Sequence, residues 1–335
     1  MNKKTLSFIL VIIYTFIFSI ACGSKDNNTD GDNIETQNTL LEIAIINNPP
    51  AESGYRKANV EDMISTFTVE NGFNARFFYD LEHQQQINAA KEFIDEGIDI
   101  LLISAASENG WDSVLKDAAD AGVRVFLFDR MINVDQSLFE AAVISDMHNQ
   151  GKMAVEVLTS LDLPEYNIIH IQGALGSAAQ VGRTEPFALH VEANANWNIV
   201  KQESATWDEA TAQQIVESVI ASGIPFNVVY AENDGMAAGA VIALSNAGIS
   251  HGFNEDGSVR DVVIIGVDAN KWALRELLSK NWSFNIQCSP FQAQIIFDII
   301  KGTRPVTEKI IINPERFFDA RTITQDEIEQ FGLGD

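Results

Sequence analysis

The chain contains 335 residues, of which 46% are hydrophobic and 21% are charged. This length and composition can bury a sizeable core, suit about two domains, and exclude a disordered chain. The formal net charge of −25 repels nucleic acid and anionic lipid, so we expect no nucleic-acid partner and no charge-driven membrane binding.

The N-terminus has the layout of an export signal. Two lysines precede an uncharged apolar run at 5–21, and the segment SIACGS places Cys22 directly after a small residue. SIACGS resembles a bacterial lipobox, in which the cysteine is lipidated, although Ser19 stands where leucine is usual. We therefore expect 1–21 to be a signal peptide, with the protein exported to the periplasm or cell surface and held at the membrane only by a lipid on Cys22. A soluble secreted protein and an uncut anchor are the alternatives, since a spanning helix needs ~20 apolar residues.

The segment after this cysteine is polar and rich in Asn, Asp and Thr, with Ile34 as its one apolar residue before Thr39. It cannot bury a core, so we assign 22–39 to the lipidated cysteine and a flexible tether. The second cysteine, Cys288, is expected to be a small buried residue. If Cys22 is lipidated, no intrachain disulfide can form.

From residue 40 onward, short apolar runs alternate with amphipathic stretches. This β-α repetition predicts parallel sheets with right-handed crossovers. Residues 96–122 also align without gaps with residues 222–248, and both read as strand, polar loop, helix and glycine stop. We therefore expect two α/β lobes of similar build. The predicted strands are 40–46, 75–80, 98–104, 123–128, 141–145, 167–172, 198–203, 226–231 and 262–267.

Polar and aromatic side chains follow the carboxyl ends of these strands, which is where open parallel sheets bind ligands. Carboxylates, guanidinium groups and amides can pair with vicinal hydroxyls, and aromatic rings can stack on a sugar ring. The set therefore predicts a site for a polyol with little bias towards a charged ligand. It comprises Tyr55, Arg56, Trp111, Asp129, Arg130, Arg183, Trp207, Asn233, Asp234 and Asp268.

Each of these residues also has a purely structural interpretation. Asp129 and Arg130 could form an ion pair at a strand end, and Asp268 could cap the following helix. Tyr55 could serve packing alone, and Arg183 could be a solvated helix start. Trp207 could be a hydrophobic staple beside a capping aspartate. Their joint placement at strand ends favours the binding site.

Signals for catalysis are weak, so we expect no enzyme, no cofactor and no metal. The glycine-rich stretch 173–182 matches neither G-x-G-x-x-G nor a P-loop, and no G-x-S-x-G elbow is present. The five histidines lack metal-ligand spacing. Asp129 and Asp268 could mimic a glycosidase pair, but a strand-end arginine beside each carboxylate is expected to keep it ionised.

Three segments carry a family resemblance: SGYRKA at 53–58, the stretch 84–130 that contains ENGW and FLFDR, and VVYAENDGMAAGAV at 228–241. They resemble type I periplasmic binding proteins, the sugar-binding proteins of bacterial ABC transporters of the ribose and galactose class, and most of all the galactofuranose-binding members. The resemblance covers 41 to about 320.

The resemblance implies two Rossmann-like lobes with parallel sheets, joined by a three-stranded hinge. Lobe one would be 40–145 plus 288–310, and lobe two 146–287 plus 311–335. It also implies which residues contact the sugar. Within that set, Asp129 and Arg130 would bind sugar hydroxyls, and their opposite charges would compensate each other when the cleft closes. The set is Glu52, Ser53, Tyr55, Arg56, Trp111, Asp129, Arg130, Ser177, Arg183, Trp207, Asn233, Asp268 and Gln287.

The implied function is capture of a monosaccharide by a monomer that hands it to ABC permease subunits. Galactofuranose or a related hexose is the first expectation. Two positions depart from the family pattern: Tyr55 stands where the galactofuranose-binding relative has tryptophan, and SATWDEAT at 204–211 lacks the usual Asp-Phe. A pentose or nucleoside ligand, and a sensor that presents sugar to a chemoreceptor or kinase, stay open as alternatives.

Overall fold

Two six-stranded sheets, each covered by helices, make up the structure of residues 40–334, the part of the chain that the computed structural model describes. The expected signal peptide, the lipidated Cys22 and the tether lie outside the described residues. The strands are β1 Leu41–Asn47, β2 Phe73–Tyr79, β3 Ile100–Ile103, β4 Arg124–Asp129, β5 Ala141–Ile144, β6 Tyr166–Gln172, β7 Trp197–Ser204, β8 Val228–Ala231, β9 Val263–Asp268, β10 Phe284–Gln287, β11 Ile310–Ile312 and β12 Phe317–Asp319. The helices are α1 Gly54–Thr66, α2 His83–Asp95, α3 Asp112–Asp120, α4 Met147–Thr159, α5 Ala178–Ala193, α6 Glu209–Ser222, α7 Asp234–Asn246, α8 Lys271–Leu278, α9 Ala293–Ile300 and α10 Gln325–Phe331.

The first sheet has the order β11-β5-β4-β3-β1-β2 and the second the order β12-β10-β9-β8-β6-β7. Neighbouring strands are parallel except for β12, which runs antiparallel to β10. The strands β3 and β8, which come from the two similar sequence segments, occupy equivalent places in the two sheets. The predicted fold class of two α/β lobes is therefore confirmed.

The strands form because their apolar runs are buried on both faces, as expected for a parallel sheet with helices on either side. All four residues of β3 are buried, and so are all six of β9. Fully burying one such aliphatic side chain contributes ~1.5–3 kcal/mol. The sequence prediction omitted β10, β11 and β12, which have only three or four residues each.

Three segments connect the two sheets: 145–146, 288–292 and 313–316. The first leads from β5 to α4, the second from β10 to α9 and the third from β11 to β12. Because β11 pairs with β5, residues 311 and 312 lie in the first sheet, and the last crossing comes after residue 312 rather than after residue 310. Among the described residues, no helix combines the length and apolar character that crossing a membrane requires.

Candidate ligand-binding cleft

A cavity lies between the carboxyl ends of the two sheets; together with the solvent at its mouth it spans about 390 Å³ of space free of protein atoms. Its walls come from strand ends and helix starts of both lobes, as the rule for open parallel sheets requires. Ten of the thirteen residues predicted for the site line it: Glu52, Ser53, Tyr55, Arg56, Asp129, Arg130, Arg183, Trp207, Asn233 and Asp268.

The lobe-one wall is organised around Asp129, the last residue of β4, which is 1% exposed. Its Oδ2 accepts from Arg56 Nη2 at 2.6 Å, Ser104 Oγ at 2.8 Å and Arg130 Nε at 3.0 Å. Its Oδ1 accepts from Tyr55 Oη at 2.8 Å. Burial by itself would raise the pKa of Asp129, but Arg130 and Arg56 outweigh it and hold the pKa below its ordinary value. Asp129 is therefore an ionised acceptor.

The expected self-neutralising pair of Asp129 and Arg130 is only part of this arrangement. Arg56 is 1% exposed and is the more deeply buried partner, whereas the Arg130 side chain is 12% exposed. Arg56 is fixed in turn by Glu52, whose Oε2 accepts from its Nε at 3.0 Å, and by Asn47, whose Oδ1 accepts from its Nη1 at 2.8 Å. Arg130 is thus the more available donor for a ligand.

Tyr55 occupies the first turn of α1, which Ser53 caps by accepting from the backbone N–H of Arg56. Burial raises the pKa of Tyr55 well above its ordinary value, and Asp129 adds to the rise. The phenol therefore keeps its proton and remains a donor to Asp129. The Gln292 side chain donates to the phenol oxygen at 3.3 Å, which links Tyr55 to the second crossing segment.

The lobe-two wall contains Arg183 from α5 and Asp268 from the end of β9. Arg183 Nη2 lies 3.6 Å from Asp268 Oδ1, Arg183 Nε donates to Gln150 Oε1 at 2.8 Å, and Arg183 Nη1 donates to the carbonyl oxygen of Glu232. Burial raises the pKa of Asp268 well above its ordinary value; Arg183 opposes this rise, and Asp234 adds to it. The neighbouring arginine therefore does not hold the pKa of this carboxyl at or below its ordinary value, because desolvation outweighs the attraction.

Trp207 supplies an aromatic face to the cleft. It precedes Asp208, which caps α6 by accepting from Thr211 N at 2.7 Å. The Arg183 guanidinium carbon lies 5.9 Å from the indole centroid. The ring also covers Gly173, where an added Cβ would lie 1.9 Å from the indole Cη2.

Three residues of the cleft wall have positive φ angles although none is glycine: Asp129 at 68°, Trp207 at 70° and Asp268 at 120°. Such backbone conformations cost of order 1–3 kcal/mol each and collect at functional sites. Here they turn a carboxylate, an indole and a second carboxylate towards one cavity.

Asn233 caps α7 and also lines the cavity. Its Oδ1 accepts from Met236 N at 2.8 Å, and its Nδ2 lies 3.4 Å from the carbonyl oxygen of Trp207. Asp234, the next residue, is buried behind the wall, where Asn270 and Asn285 donate to its carboxylate. Burial raises the pKa of Asp234 to about 6.

The structure places three predicted residues outside the cavity wall. Trp111 is fully buried in the lobe-one core and donates from Nε1 to the Ser107 carbonyl at 2.9 Å. Ser177 caps α5, and the Gln287 side chain lies 3.4 Å from the carbonyl oxygen of Phe331.

Sequence reasoning missed Met147, Ala179 and Cys288, which add apolar surface to the cavity. No local pattern distinguishes these residues from core side chains, and Cys288 is buried as expected. Burial raises the pKa of Cys288 to about 12, so its thiol is unreactive at neutral pH.

The chain belongs to the periplasmic binding protein family. A family model described as the periplasmic binding protein domain matches residues 43–300, which is most of the chain. The resemblance inferred from the sequence is therefore confirmed, and the chain is a binding protein rather than an enzyme.

Two relatives match most of the chain. The galactofuranose-binding protein YtfQ of Escherichia coli is 26% identical over 291 residues, which cover 84% of this chain and 88% of that protein. The fructose import binding protein FruE of Bifidobacterium longum is 27% identical over 312 residues, which cover 90% and 89% of the two chains.

Two similar solved structures hold furanose sugars. The periplasmic binding component of the arabinose ABC transporter from Shewanella sp. ANA-3, bound to α- and β-L-arabinofuranose, has a TM-score of 0.77 at 26% identity and covers 86% of this chain and 95% of that one. A Mycobacterium smegmatis protein in complex with β-D-fucofuranose has a TM-score of 0.74 at 27% identity, with coverage of 87% and 93%.

Proposed function

We propose that this protein captures a monosaccharide in its furanose ring form in the interlobe cleft and delivers it to an ABC importer. The observation that carries the proposal is the cleft itself, where an arginine-held carboxylate from each lobe and the indole of Trp207 line one cavity. The similarity to proteins that hold L-arabinofuranose and β-D-fucofuranose supports the five-membered ring. Galactofuranose or a related hexose is the first candidate, and a pentose is the second.

The chemistry of the walls suits a neutral polyhydroxyl ligand. Asp129 accepts from hydroxyls, Arg130 and Arg183 donate to hydroxyl oxygens, and the indole of Trp207 packs on the C–H face of the ring. Asp268, whose Oδ1 lies 3.6 Å from Arg183 Nη2, offers a second carboxylate acceptor for hydroxyls. Because each charged group already has a partner, a sugar does not need to bring a charge of its own.

Capture would work by hinge closure about the three crossing segments. With the lobes apart, the sugar reaches Asp129 and Arg130 on one wall. Closure then brings Arg183, Trp207 and Asp268 onto its other side and removes water from the cleft, which strengthens each charged hydrogen bond. The permease would recognise the closed state. The sugar stabilises the closed state by the difference between its binding free energies to the closed and the open states.

We also propose that the protein is exported and anchored to the membrane by a lipid. A lipid on Cys22 and a polar tether up to residue 39 would keep the binding lobes near the membrane that holds the permease, without a spanning helix in the mature protein. Cys22→Ser should release the protein from the membrane fraction. Continued membrane association of this variant would instead favour an uncut anchor.

Calorimetric titration of the purified protein tests the binding activity. The panel contains L-arabinose, D-galactose, D-fructose, D-ribose, D-glucose and a nucleoside. The proposal predicts 1:1 binding heat from at least one sugar that forms furanose rings, with loss of that heat in Arg130→Ala. Binding heat from the nucleoside alone would overturn the proposal. So would the absence of heat from every sugar, measured on protein that has been freed of endogenous ligand by unfolding and refolding.

A further inference from the structure

Glu315 lies in the third crossing segment, outside the cleft wall, and neighbours the other two crossings. The backbone N–H of Ser289, in the second crossing, donates to its Oε1 at 3.0 Å. The Ser145 side chain, in the first crossing, lies beside this carboxylate. One carboxylate therefore lies where the three crossing segments meet, and it bonds the third segment to the second.

The same carboxylate is connected to the cleft through a single side chain. Gln150 Nε2 donates to Glu315 Oε2 at 2.7 Å, and Gln150 Oε1 accepts from Arg183 Nε at 2.8 Å. Gln150 is fully buried and Arg183 is 3% exposed. An amide has one donor end and one acceptor end, so Glu315 fixes which end of Gln150 faces Arg183.

We propose that Glu315 is a positioning residue for Arg183, acting through the amide of Gln150, and that it couples the grip of Arg183 on the sugar to the geometry of the hinge. This inference rests on the proposed function in one respect, the contact of Arg183 with the sugar. The link from Glu315 to Arg183 is a property of the ligand-free protein and can be measured without any sugar.

Glu315 determines the orientation of the Gln150 amide because Gln150 is buried and both ends of its amide are hydrogen-bonded. In the buried surroundings of Gln150, a carboxylate acceptor on one side leaves the amide oxygen free to accept from the guanidinium on the other. Without Glu315 the amide can turn, which would set an N–H against Arg183 Nε. A guanidinium has no acceptor atom, so Arg183 would lose that hydrogen bond and shift relative to Asp268 and the Glu232 carbonyl. An unmade hydrogen bond in a buried site is costly, which is why the effect should reach the cleft.

The first test reads Arg183 directly by NMR on protein labelled with ¹⁵N-arginine. The Arg183 Nε–Hε signal is assigned by its absence in Arg183→Lys, and the Arg56 Nε–Hε group, which is bonded to Glu52, serves as an internal reference. Glu315→Ala should shift the Arg183 signal and speed its exchange with water, while the Arg56 signal stays in place. Glu315→Gln keeps one acceptor oxygen for Gln150 and should restore most of the wild-type signal.

The second test measures affinity by calorimetry with L-arabinose and D-galactose. Glu315→Ala should weaken binding roughly 5- to 150-fold, the usual range for coupling between sites, and the loss should disappear in a Gln150→Ala background. Glu308→Ala removes an exposed carboxylate from the loop that precedes β11 and should change neither measurement.

The outcomes separate the two claims. An Arg183 signal that is unchanged in Glu315→Ala overturns the inference, whatever happens to the melting temperature. An equal loss of affinity in the presence and absence of Gln150 also overturns it, because Glu315 would then act by another route. If no sugar gives heat with the wild type but the Arg183 signal responds as described, the proposed function fails and the positioning of Arg183 by Glu315 stands.

Discussion

The indole ring of Trp207 lies against the backbone of Gly173, so closely that no side chain can stand between them. A Cβ at residue 173 would come within 1.9 to 2.3 Å of three carbons of the ring. The loop after β6 therefore serves as the back wall that holds Trp207 in the cleft. Gly173 is also held in place, because its backbone N–H donates to Glu232 Oε2 at 2.8 Å.

Gly173→Ala should push the indole away from its position and weaken sugar binding by at least about tenfold, which corresponds to ~1.4 kcal/mol. Calorimetry gives the affinity, and tryptophan fluorescence reports the displaced ring. Gly235→Ala is the matched control, since an added Cβ there finds its nearest neighbours at 3.7 to 3.9 Å, which is ordinary contact. Wild-type affinity in Gly173→Ala would show that Trp207 takes no part in binding.

Arg130→Ala should reduce sugar affinity by ~2–4 kcal/mol with little change in melting temperature. The fold survives because Asp129 keeps hydrogen bonds from Arg56, Ser104 and Tyr55. Arg56→Ala should behave differently and destabilise the fold by roughly 3–5 kcal/mol, as expected when a buried ion pair loses one partner. Thermal unfolding beside calorimetry separates the two variants, and equal melting temperatures for both would contradict this division of roles.

Asp62 gives the molecule a measurable dependence of stability on pH. This α1 residue accepts from the first backbone N–H of α9, Ala293 N, at 2.8 Å, and burial raises its pKa from 3.8 to about 6. Between these two values the native state binds more protons than the unfolded state, so the contribution of Asp62 to stability falls as the pH rises.

Relative to Asp62→Asn, the wild type should therefore lose up to roughly 3 kcal/mol of unfolding free energy as the pH rises from 4 to 7. Urea unfolding at several pH values measures this difference. Glu61→Gln is the control: it changes an exposed carboxylate on the same helix and shows how removal of a solvated charge affects the unfolding free energy. If the unfolding free energy of the wild type instead increased relative to Asp62→Asn as the pH rises, the sign would be wrong for a carboxyl whose pKa is raised by burial.

Sequence reasoning predicted the sheets well because their signal is local. Each long central strand is an apolar run with polar residues at its carboxyl end, and the rule for parallel sheets then brings Asp129 and Asp268 to one cavity. The short strands β10 to β12 gave no such signal. Their pairing depends on segments far apart in the chain, as when Gln287 N donates to the Arg316 carbonyl at 2.8 Å.

Three features of the molecule could not be predicted from the sequence pattern. Trp111 follows a strand as the true cavity residues do, and only the packing of lobe one shows that its indole turns into the core. The raised pKa of Asp268 likewise depends on how deeply β9 is buried, since an arginine beside a carboxylate lowers the pKa at the surface but can be outweighed by desolvation in the interior. Glu315 lies in a crossing segment with no motif at all.

The ring form of the bound sugar tests the central claim most directly. Protein is mixed with L-arabinose or D-galactose labelled with ¹³C at the anomeric carbon, and the bound anomeric signal is recorded. We predict a furanose signal with cross-relaxation to the Trp207 indole protons, enriched far beyond the share of furanose in free sugar. A bound signal of pyranose type, or no bound signal for any sugar of the panel, would contradict the account.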